Sequence, residues 1–203
     1  MSVIIAGIHT GIGKTICSAV ICQAAGYDYW KPVQAGALED SDSIIVNKLV
    51  TNPLCSIHPE AYLLQIAASP HYAAGIENIE IKRESIVLPA SSNNIVVETA
   101  GGIMSPLAKN FLNIDLIQHL KLPVVLVAAN YLGSINHTLL SFYALQKSNV
   151  ETLGIVFSGA VTTSSQQFIL DQTQLNLLFS IPLFEEVTPE AIKKFANSTS
   201  LNF

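Results

Sequence analysis

The chain has 203 residues, of which 50% are hydrophobic and only 12% are charged, and its formal net charge is −5. This length suits one domain, and the composition suits an α/β domain whose central strands are buried on both faces. The basic residues are scattered rather than clustered, which argues against a nucleic-acid partner. The most apolar stretches are shorter than the roughly 20 residues of a membrane span. We therefore expect a cytoplasmic protein with no membrane partner, and we expect its three cysteines to be free thiols.

A glycine-rich stretch near the N-terminus is the strongest motif. Residues 7–15, with the sequence GIHTGIGKT, follow a predicted strand at 3–6 and precede a predicted helix at 16–22. This order is typical of a phosphate-binding loop, because glycines let successive backbone N–H groups face a phosphate beside a helix N-terminus. Lys14 would reach the β- and γ-phosphates, and the Thr15 hydroxyl would contact Mg²⁺. The strict pattern has glycine at position 8, where this chain has Ile8, so a turn that binds nothing stays open as an alternative.

Strands and helices alternate along the rest of the chain. Strands are predicted at 29–33, 94–98, 123–129, 152–157 and 180–182, and helices at 44–49, 112–120, 133–147 and 166–178. Four prolines interrupt residues 52–92, where we expect short helices and no separate domain. The alternation predicts one α/β domain over residues 1–203, with a mostly parallel central sheet, helices on both faces and a phosphate-loop NTPase-like fold.

Polar residues fall where predicted strands end, which is where ligands bind in parallel sheets. Glu98 follows four apolar residues, a place where a carboxylate is costly unless it is paired or binds a metal. Together with Thr15 and Asp42 it supplies the hard oxygen ligands that Mg²⁺ takes beside phosphates. Two simpler explanations stay open: Asp42 as a helix cap and Lys31, which precedes a proline, as a surface lysine.

A second anion site is predicted at the start of the helix at 133–147. Gly133, Ser134, Ile135 and Asn136 would leave backbone N–H groups free for a carboxylate or phosphate. An ordinary N-cap formed by Ser134 or Asn136 is the alternative. Two anion sites in one small domain fit a nucleotide plus an acidic small substrate.

The order and spacing of these motifs resemble the dethiobiotin synthetase family over most of the chain. The motifs are 10–15 (TGIGKT), 31–36 (KPVQAG), 41–42 (SD), 69–71 (SPH), 98–102 (ETAGG), 105–107 (SPL) and 132–137 (LGSINH). Each one is a weak signal, but together they are specific. The resemblance implies a ligase of biotin biosynthesis that uses ATP, Mg²⁺ and CO₂ to convert 7,8-diaminopelargonate into dethiobiotin, through a carbamate and a carbamic–phosphoric anhydride.

The resemblance also implies roles for individual residues. Lys14 and Lys31 would be catalytic, and Thr15, Asp42 and Glu98 would hold the metal ion. The nucleotide would contact Thr10, Gly11, Ile12, Gly13, Lys14, Thr15, Ile16, Asp42, Glu98, Thr99, Ala100, Gly101, Ser158, Gly159, Ile181, Pro182 and Leu183. The acidic substrate would contact Thr10, Lys31, Ala35 and, from the other subunit of a homodimer, Gly133, Ser134, Ile135 and Asn136.

The chain departs from the family pattern at three positions. Ala35 stands where the family commonly has a serine that contacts substrate, and Gly11 stands where an acidic residue is frequent. Ser158 stands where many members have an asparagine that reads adenine. The last difference leaves open whether other nucleoside triphosphates replace ATP.

Two other functions compete with the synthetase. A partition- or division-type ATPase switch would have a signature lysine at the position of His9, and its absence argues against that class. A non-catalytic nucleotide-sensing domain would not need Lys14, Lys31, Asp42 and Glu98 together.

Overall fold

The computed structural model describes residues 1–201, so the last two residues of the predicted domain lie outside the described range. Its strands are β1 (Val3–Gly7), β2 (Asp28–Trp30), β3 (Val33–Ala35), β4 (Ile57–His58), β5 (Tyr62–Leu64), β6 (Ile95–Gly102), β7 (Pro106–Ala108), β8 (Phe111–Leu112), β9 (Val124–Ala129), β10 (Thr152–Ser158) and β11 (Leu177–Ile181). Its α-helices are α1 (Lys14–Ala25), α2 (Asp42–Leu49), α3 (Pro70–Ile76), α4 (Asn113–Leu120), α5 (Ser134–Lys147), α6 (Thr163–Thr173) and α7 (Pro189–Ser198).

Seven strands form the central sheet in the order β11-β10-β9-β1-β6-β2-β4, and all neighbours are parallel. Two small ribbons lie outside it: β3 pairs with β5 in parallel, and β7 pairs with β8 in antiparallel. The predicted α/β class with a mostly parallel sheet is confirmed. The domain boundaries 1–203 stay a prediction.

Alternate side chains of the central strands enter two separate apolar cores. In β1, Val3 and Ile5 pack on the face covered by α1, α2 and α7, whereas Ile4 and Ala6 pack on the face covered by α3–α6. Successive strand residues point to opposite faces of a sheet, so a strand that is buried on both faces needs an unbroken apolar run. Because of this requirement, the apolar runs of β1, β6 and β9 allow these strands to be predicted from the sequence.

The structure corrects three sequence-based boundaries. The helix predicted at 166–178 is wrong in its second half: α6 ends at Thr173, Gln174 takes a left-handed φ of 56°, and β11 then pairs with β10. The strand predicted at 29–33 is divided between β2 and β3. The 52–92 segment holds the predicted short helix α3, but also the unpredicted strands β4 and β5.

The three cysteines are free, as expected from the sequence. Cys17 and Cys22 are buried in α1, and Cys55 is partly buried. Burial raises the pKa of the Cys17 and Cys22 thiols, which keeps both protonated. Within residues 1–201, none of the helices has the length and hydropathy needed to cross a membrane.

Candidate active site

The phosphate loop, residues 7–15, turns sharply between β1 and α1. Gly11 and Gly13 take left-handed φ angles of 68° and 92°, which glycine adopts without steric cost. The Lys14 chain passes over Gly7, where an added β-carbon would lie 2.9 Å from Lys14 Cδ. The Lys14 ammonium donates to the His9 carbonyl oxygen at 3.1 Å. The loop therefore closes around a buried ammonium group.

Lys14 is held ready for an anion. It is 6% exposed, and burial lowers its pKa; Lys31 acts in the same direction, while Glu98 and Asp42 oppose the shift. Among the described residues, Lys14 forms no ion pair within 4.0 Å. A buried cation without a paired carboxylate is costly, so a bound phosphate would stabilise it.

Lys31 follows β2 and lies between two carboxylates. It is 5% exposed, so the surface-lysine explanation is wrong. Its ammonium pairs with Asp42 Oδ2 and lies 3.8 Å from Glu98 Oε1. Asp42 is not the cap of α2, because Ser41 is the N-cap and accepts from the Ile44 N–H. The helix thus presents the Asp42 carboxylate from its first turn.

Thr15 connects the two acids. Its Oγ1 donates to Asp42 Oδ1 at 2.6 Å and lies 3.0 Å from Glu98 Oε1. Burial raises the pKa of Asp42, but Lys31 and Thr15 outweigh it and the net pKa is lowered. Burial, with Asp42 adding to it, raises the pKa of Glu98 against the opposing effect of Lys31. An additional positive charge nearby would therefore stabilise the ionised form of Glu98.

Two residues that sequence reasoning missed complete the surroundings of Glu98. Ser18 Oγ donates to Glu98 Oε2 at 2.8 Å, and the Tyr29 hydroxyl donates to the same oxygen at 3.1 Å. Glu98 is 1% exposed. Buried charges persist only where they are hydrogen-bonded or paired, and these hydroxyls satisfy the oxygen that faces away from Lys31.

The oxygen set fits Mg²⁺. The described residues contain no group of three or more His, Cys, Asp or Glu side chains that could bind a metal by themselves. Mg²⁺ is ordinarily held by one or two carboxylates, with substrate phosphates and water completing its octahedron. Two carboxylates bridged by one hydroxyl meet that requirement, and the raised pKa of Glu98 gives the electrostatic reason for a cation.

A cavity of about 500 Å³ opens beside these groups. Thr10, Lys31 and Asp42 contribute its polar wall. Its remaining lining is mostly small residues: Gln34, Ala35, Ala37, Ala67, Ala68, Ser69, Pro70, Ala100, Gly101 and Ser105. The cavity suits a small molecule that carries polar groups at one end and an aliphatic body.

The strand ends predicted to contact a nucleotide base lie next to the phosphate loop. An added β-carbon at Gly13 would lie 2.2 Å from Ser158 Oγ, and the Gly159 N–H donates to the Ile181 carbonyl at 2.9 Å. The chain beyond Ile181 leaves the sheet, and Leu183 is 80% exposed. Thr99 and Ile12 are buried, so their side chains serve the core, and a nucleotide would meet their backbone.

The start of α5 has free amide groups. Gly133, with φ 96°, is the N-cap and provides no side-chain hydrogen bond, so the predicted alternative of a Ser134 or Asn136 cap is wrong. The Ser134 N–H donates to Tyr131 O, whereas the Ile135 and Asn136 N–H groups have no backbone acceptor among the described residues. This helix end lines a cleft of about 780 Å³ that shares no lining residue with the Lys31 cavity.

Comparison with known proteins identifies the family. A family model described as an AAA domain matches residues 1–191. The ATP-dependent dethiobiotin synthetase BioD of Brucella ovis is 40% identical over 200 residues, which cover 98% of this chain and 93% of that protein. The protein of the same name from Cytophaga hutchinsonii is 42% identical over 193 residues, covering 95% and 93%. The chain belongs to the dethiobiotin synthetase family. The predicted resemblance is confirmed, and the family is one of ATP-dependent ligases.

Two solved structures of other proteins are similar in fold to this chain. A ParA family ATPase from Chlorobium tepidum matches with a TM-score of 0.58 and 14% identity, covering 98% of this chain and 90% of that one. The MinC:MinD cell division complex of Aquifex aeolicus matches with a TM-score of 0.56 and 14% identity, covering 100% and 97%. The predicted phosphate-loop NTPase-like fold is confirmed. At this identity the likeness concerns the fold alone, so it does not favour the switch ATPase.

Proposed function

We propose that this dethiobiotin synthetase family member joins CO₂ to 7,8-diaminopelargonate and closes the ureido ring of dethiobiotin at the expense of ATP. One observation carries the proposal: Thr10 of the phosphate loop lines the same cavity as Lys31 and Asp42, and Lys31 lies between Asp42 and the buried Glu98. A nucleotide switch needs the loop and the metal ligands. It does not need a second buried lysine such as Lys31 beside Asp42 and Glu98. We infer that Lys31 serves another anion, which forms during the reaction.

The proposed reaction has three steps. One amine adds its lone pair to the carbon of CO₂ and loses a proton, which gives a carbamate. A carbamate oxygen then attacks the γ-phosphorus of ATP, the bond to the bridging oxygen breaks, and ADP leaves with a carbamic–phosphoric anhydride in place. The second amine attacks the anhydride carbon, phosphate leaves with the bonding pair, and loss of a proton completes the cyclic urea.

Each of the two lysines stabilises a different negatively charged group in these steps. Lys14, within the loop, stabilises the β- and γ-phosphate oxygens, while Lys31 stabilises the carbamate and the phosphoryl group it receives. Phosphoryl transfer depends mostly on positioning and electrostatics, which two fixed ammonium groups supply. Thr15, Asp42 and Glu98 would hold Mg²⁺, which when bound offsets charge on the ATP phosphates.

We propose further that the active unit is a homodimer in which each subunit completes the other's site. The free amide groups at the start of α5 suit the substrate carboxylate, yet they lie on a different cleft from Lys31 of the same chain. Large apolar side chains are exposed on and near α5: Leu132 fully, and Met104, Leu140 and Tyr143 each by about half. A two-fold dimer that buries such a face would make two equivalent composite sites.

A product assay tests the proposed function. The protein is incubated with 7,8-diaminopelargonate, bicarbonate, Mg²⁺ and ATP, and the cyclic urea is detected by mass spectrometry. We expect product to form together with ADP. Absence of product alongside intact ATP binding would favour the nucleotide-sensing alternative. The cytoplasmic location stays a prediction.

A further inference from the structure

Gln34 has a hydrogen-bonding group that the fold leaves unused. Its side chain lines the cavity beside Lys31 and is 6% exposed. Within the described residues, its Oε1 is buried and has no hydrogen-bond donor. An unsatisfied buried acceptor lowers stability, so such a group beside a ligand cavity points to a donor on the ligand.

The orientation of this amide is set by the backbone around it. Gln34 Nε2 donates to the Gly36 carbonyl at 2.9 Å, which identifies the nitrogen and leaves the oxygen as the unpaired atom. Gly36 has a φ of 70°, and an added β-carbon there would lie 2.4 Å from Ala67 Cα. Pairing of Gln34 with Leu63 in the β3–β5 ribbon fixes the same segment from the other side.

The other side-chain oxygens that line this cavity belong to the Asp42 carboxylate and to the hydroxyls of Thr10, Ser69 and Ser105. The Asp42 carboxylate is paired with Lys31 and Thr15. Ala35, where the family commonly has a serine, offers no hydroxyl, and Ala67 and Ala68 are equally apolar. Gln34 contributes the one side-chain amide oxygen of this lining, a neutral group that accepts without donating, whereas a hydroxyl does both.

We infer that the Gln34 side-chain oxygen accepts a hydrogen bond from one amine of the diamine substrate and so helps to select a diamine. The inference rests on the proposed function. The oxygen is closed to solvent in the free protein, so a small rotation about the last side-chain torsion, which is broad in glutamine, accompanies binding. The Nε2 bond to Gly36 limits that rotation.

A neutral acceptor suits this chemistry better than a carboxylate does. An amine attacks carbon only with its lone pair free, and a nearby carboxylate would favour the protonated ammonium form instead. The amide oxygen accepts an N–H without adding negative charge. Gln34 would thus accept from the amine while leaving it nucleophilic.

A binding cycle tests this contact. Calorimetry would measure the binding of three ligands to the wild type and to Gln34→Met. The ligands are 7,8-diaminopelargonate (7,8-diaminononanoate) and its two analogues that lack one amine, 7-aminononanoate and 8-aminononanoate. In the wild type we expect loss of the contacted amine to weaken binding about tenfold, as for one hydrogen bond. In Gln34→Met the same loss should cost under twofold, while loss of the other amine should cost as much as in the wild type. Gln65→Met, on an exposed glutamine outside the cavity, is the matched control and should behave as the wild type.

General damage to the fold would weaken the binding of all three ligands equally, so the ratios of their dissociation constants would match those of the wild type. Such unchanged ratios would overturn the inference. A second variant, which also loses the Gly36 bond, gives an independent readout. Gln34→Glu should move the rise of kcat to higher pH, because the amine must lose its proton beside a carboxylate. An unmoved profile contradicts the inference as well. If the wild type itself forms no cyclic urea, the proposed synthetase function is wrong. That result is distinct from a failure of the Gln34 contact, which the binding ratios report.

Discussion

Gly13 and Ser158 are in such close contact that an added β-carbon on Gly13 would lie 2.2 Å from the Ser158 hydroxyl oxygen. The contact joins the last turn of the phosphate loop to the end of β10. Real β-carbons do not approach a neighbour so closely, so a side chain at position 13 must turn the Ser158 hydroxyl into another rotamer or move one of the two segments. The close approach explains glycine at position 13 better than the φ angle alone.

Gly13→Ala should therefore lower both the melting temperature and the affinity for ATP. The left-handed φ of 92° costs an alanine roughly 1–2 kcal/mol, and the clash with Ser158 adds to it. Gly11→Ala is the matched control, since Gly11 is also left-handed, at 68°, but an added β-carbon meets nothing within 4 Å. Thermal unfolding and ATP titration would measure both variants. Equal losses at the two positions would show that backbone conformation alone is responsible.

Replacing Lys14 or Lys31 with alanine should cut turnover by about 10²–10³-fold, as expected for loss of a group that stabilises developing charge. Lys14→Ala should also weaken ATP binding, whereas Lys31→Ala should mostly spare it. Steady-state kinetics and ATP calorimetry separate the two effects. Lys31→Ala leaves two carboxylates without their partner, so its melting temperature should be recorded as well. Near-normal turnover in a folded Lys31→Ala would remove that residue from the mechanism.

Nucleotide discrimination should be shallow because of Ser158. The asparagine common at this position in the family can pair with adenine through two hydrogen bonds, and a single hydroxyl beside Gly13 cannot. A lost hydrogen-bonding pair is worth about 1–3 kcal/mol, so ATP should be preferred over other triphosphates only by a modest factor. Competition binding with GTP, CTP and UTP measures this. A preference of about a thousandfold would mean that another group reads the base.

Stability should depend on pH through Asp28, which lies outside the candidate site. Its carboxylate accepts from the Ser56 N–H, from Ser91 Oγ and from Asn93 Nδ2, and it contacts His58 Nε2 at 2.9 Å. Burial raises the pKa of Asp28, but these partners outweigh it and the net pKa is lowered. A lowered folded-state pKa contributes stability that is present above the unfolded value of about 3.9 and is lost as the pH falls through the folded value.

Asp28→Asn should consequently reduce the free energy of unfolding by about 1–3 kcal/mol at pH 7, and by less at pH 3. Denaturant unfolding at a series of pH values would show the gap between the two proteins narrowing below pH 4. A gap that stays constant over this range would exclude the Asp28 charge as its source.

The shared-site dimer predicts recovery of activity when two inactive variants are mixed. One variant carries Lys31→Ala and the other carries Asn136→Trp, a bulky change at an exposed position in the first turn of α5. After subunit exchange, each mixed dimer should contain one intact composite site, so part of the activity should return. The mixed dimers are verified by mass spectrometry. If they form and stay inactive, the substrate carboxylate is held within one subunit.

Local signals account for what the sequence predicted well. The phosphate loop, the apolar run before Glu98 and the buried strands are each encoded within about ten residues, and they fixed the fold class. The Thr188-Pro189-Glu190 start of α7 was a readable helix signal that the predictions omitted. In contrast, residues 174–181 have no local feature that separates strand from helix, and pairing with β10 decides the outcome.

Long-range contacts were beyond the sequence. Ser18 and Tyr29 lie 80 and 69 positions from Glu98, and nothing in their neighbourhood indicates that both would reach the same oxygen. The unpaired Gln34 oxygen likewise depends on how β3 packs, and a glutamine in a strand gives no sign of it. Such contacts arise from tertiary packing and are not encoded in any short stretch of sequence.

The ring of hydroxyls around Glu98 has a further consequence. Thr15, Ser18 and Tyr29 each carry one rotatable hydrogen, and a hydroxyl can donate in one orientation and accept in another. When a cation arrives or leaves, or a phosphate is exchanged, these three hydrogens can turn while the heavy atoms keep their places. Rotation about a single C–O bond would therefore let each of these groups answer a change of charge at Glu98 without a movement of the backbone.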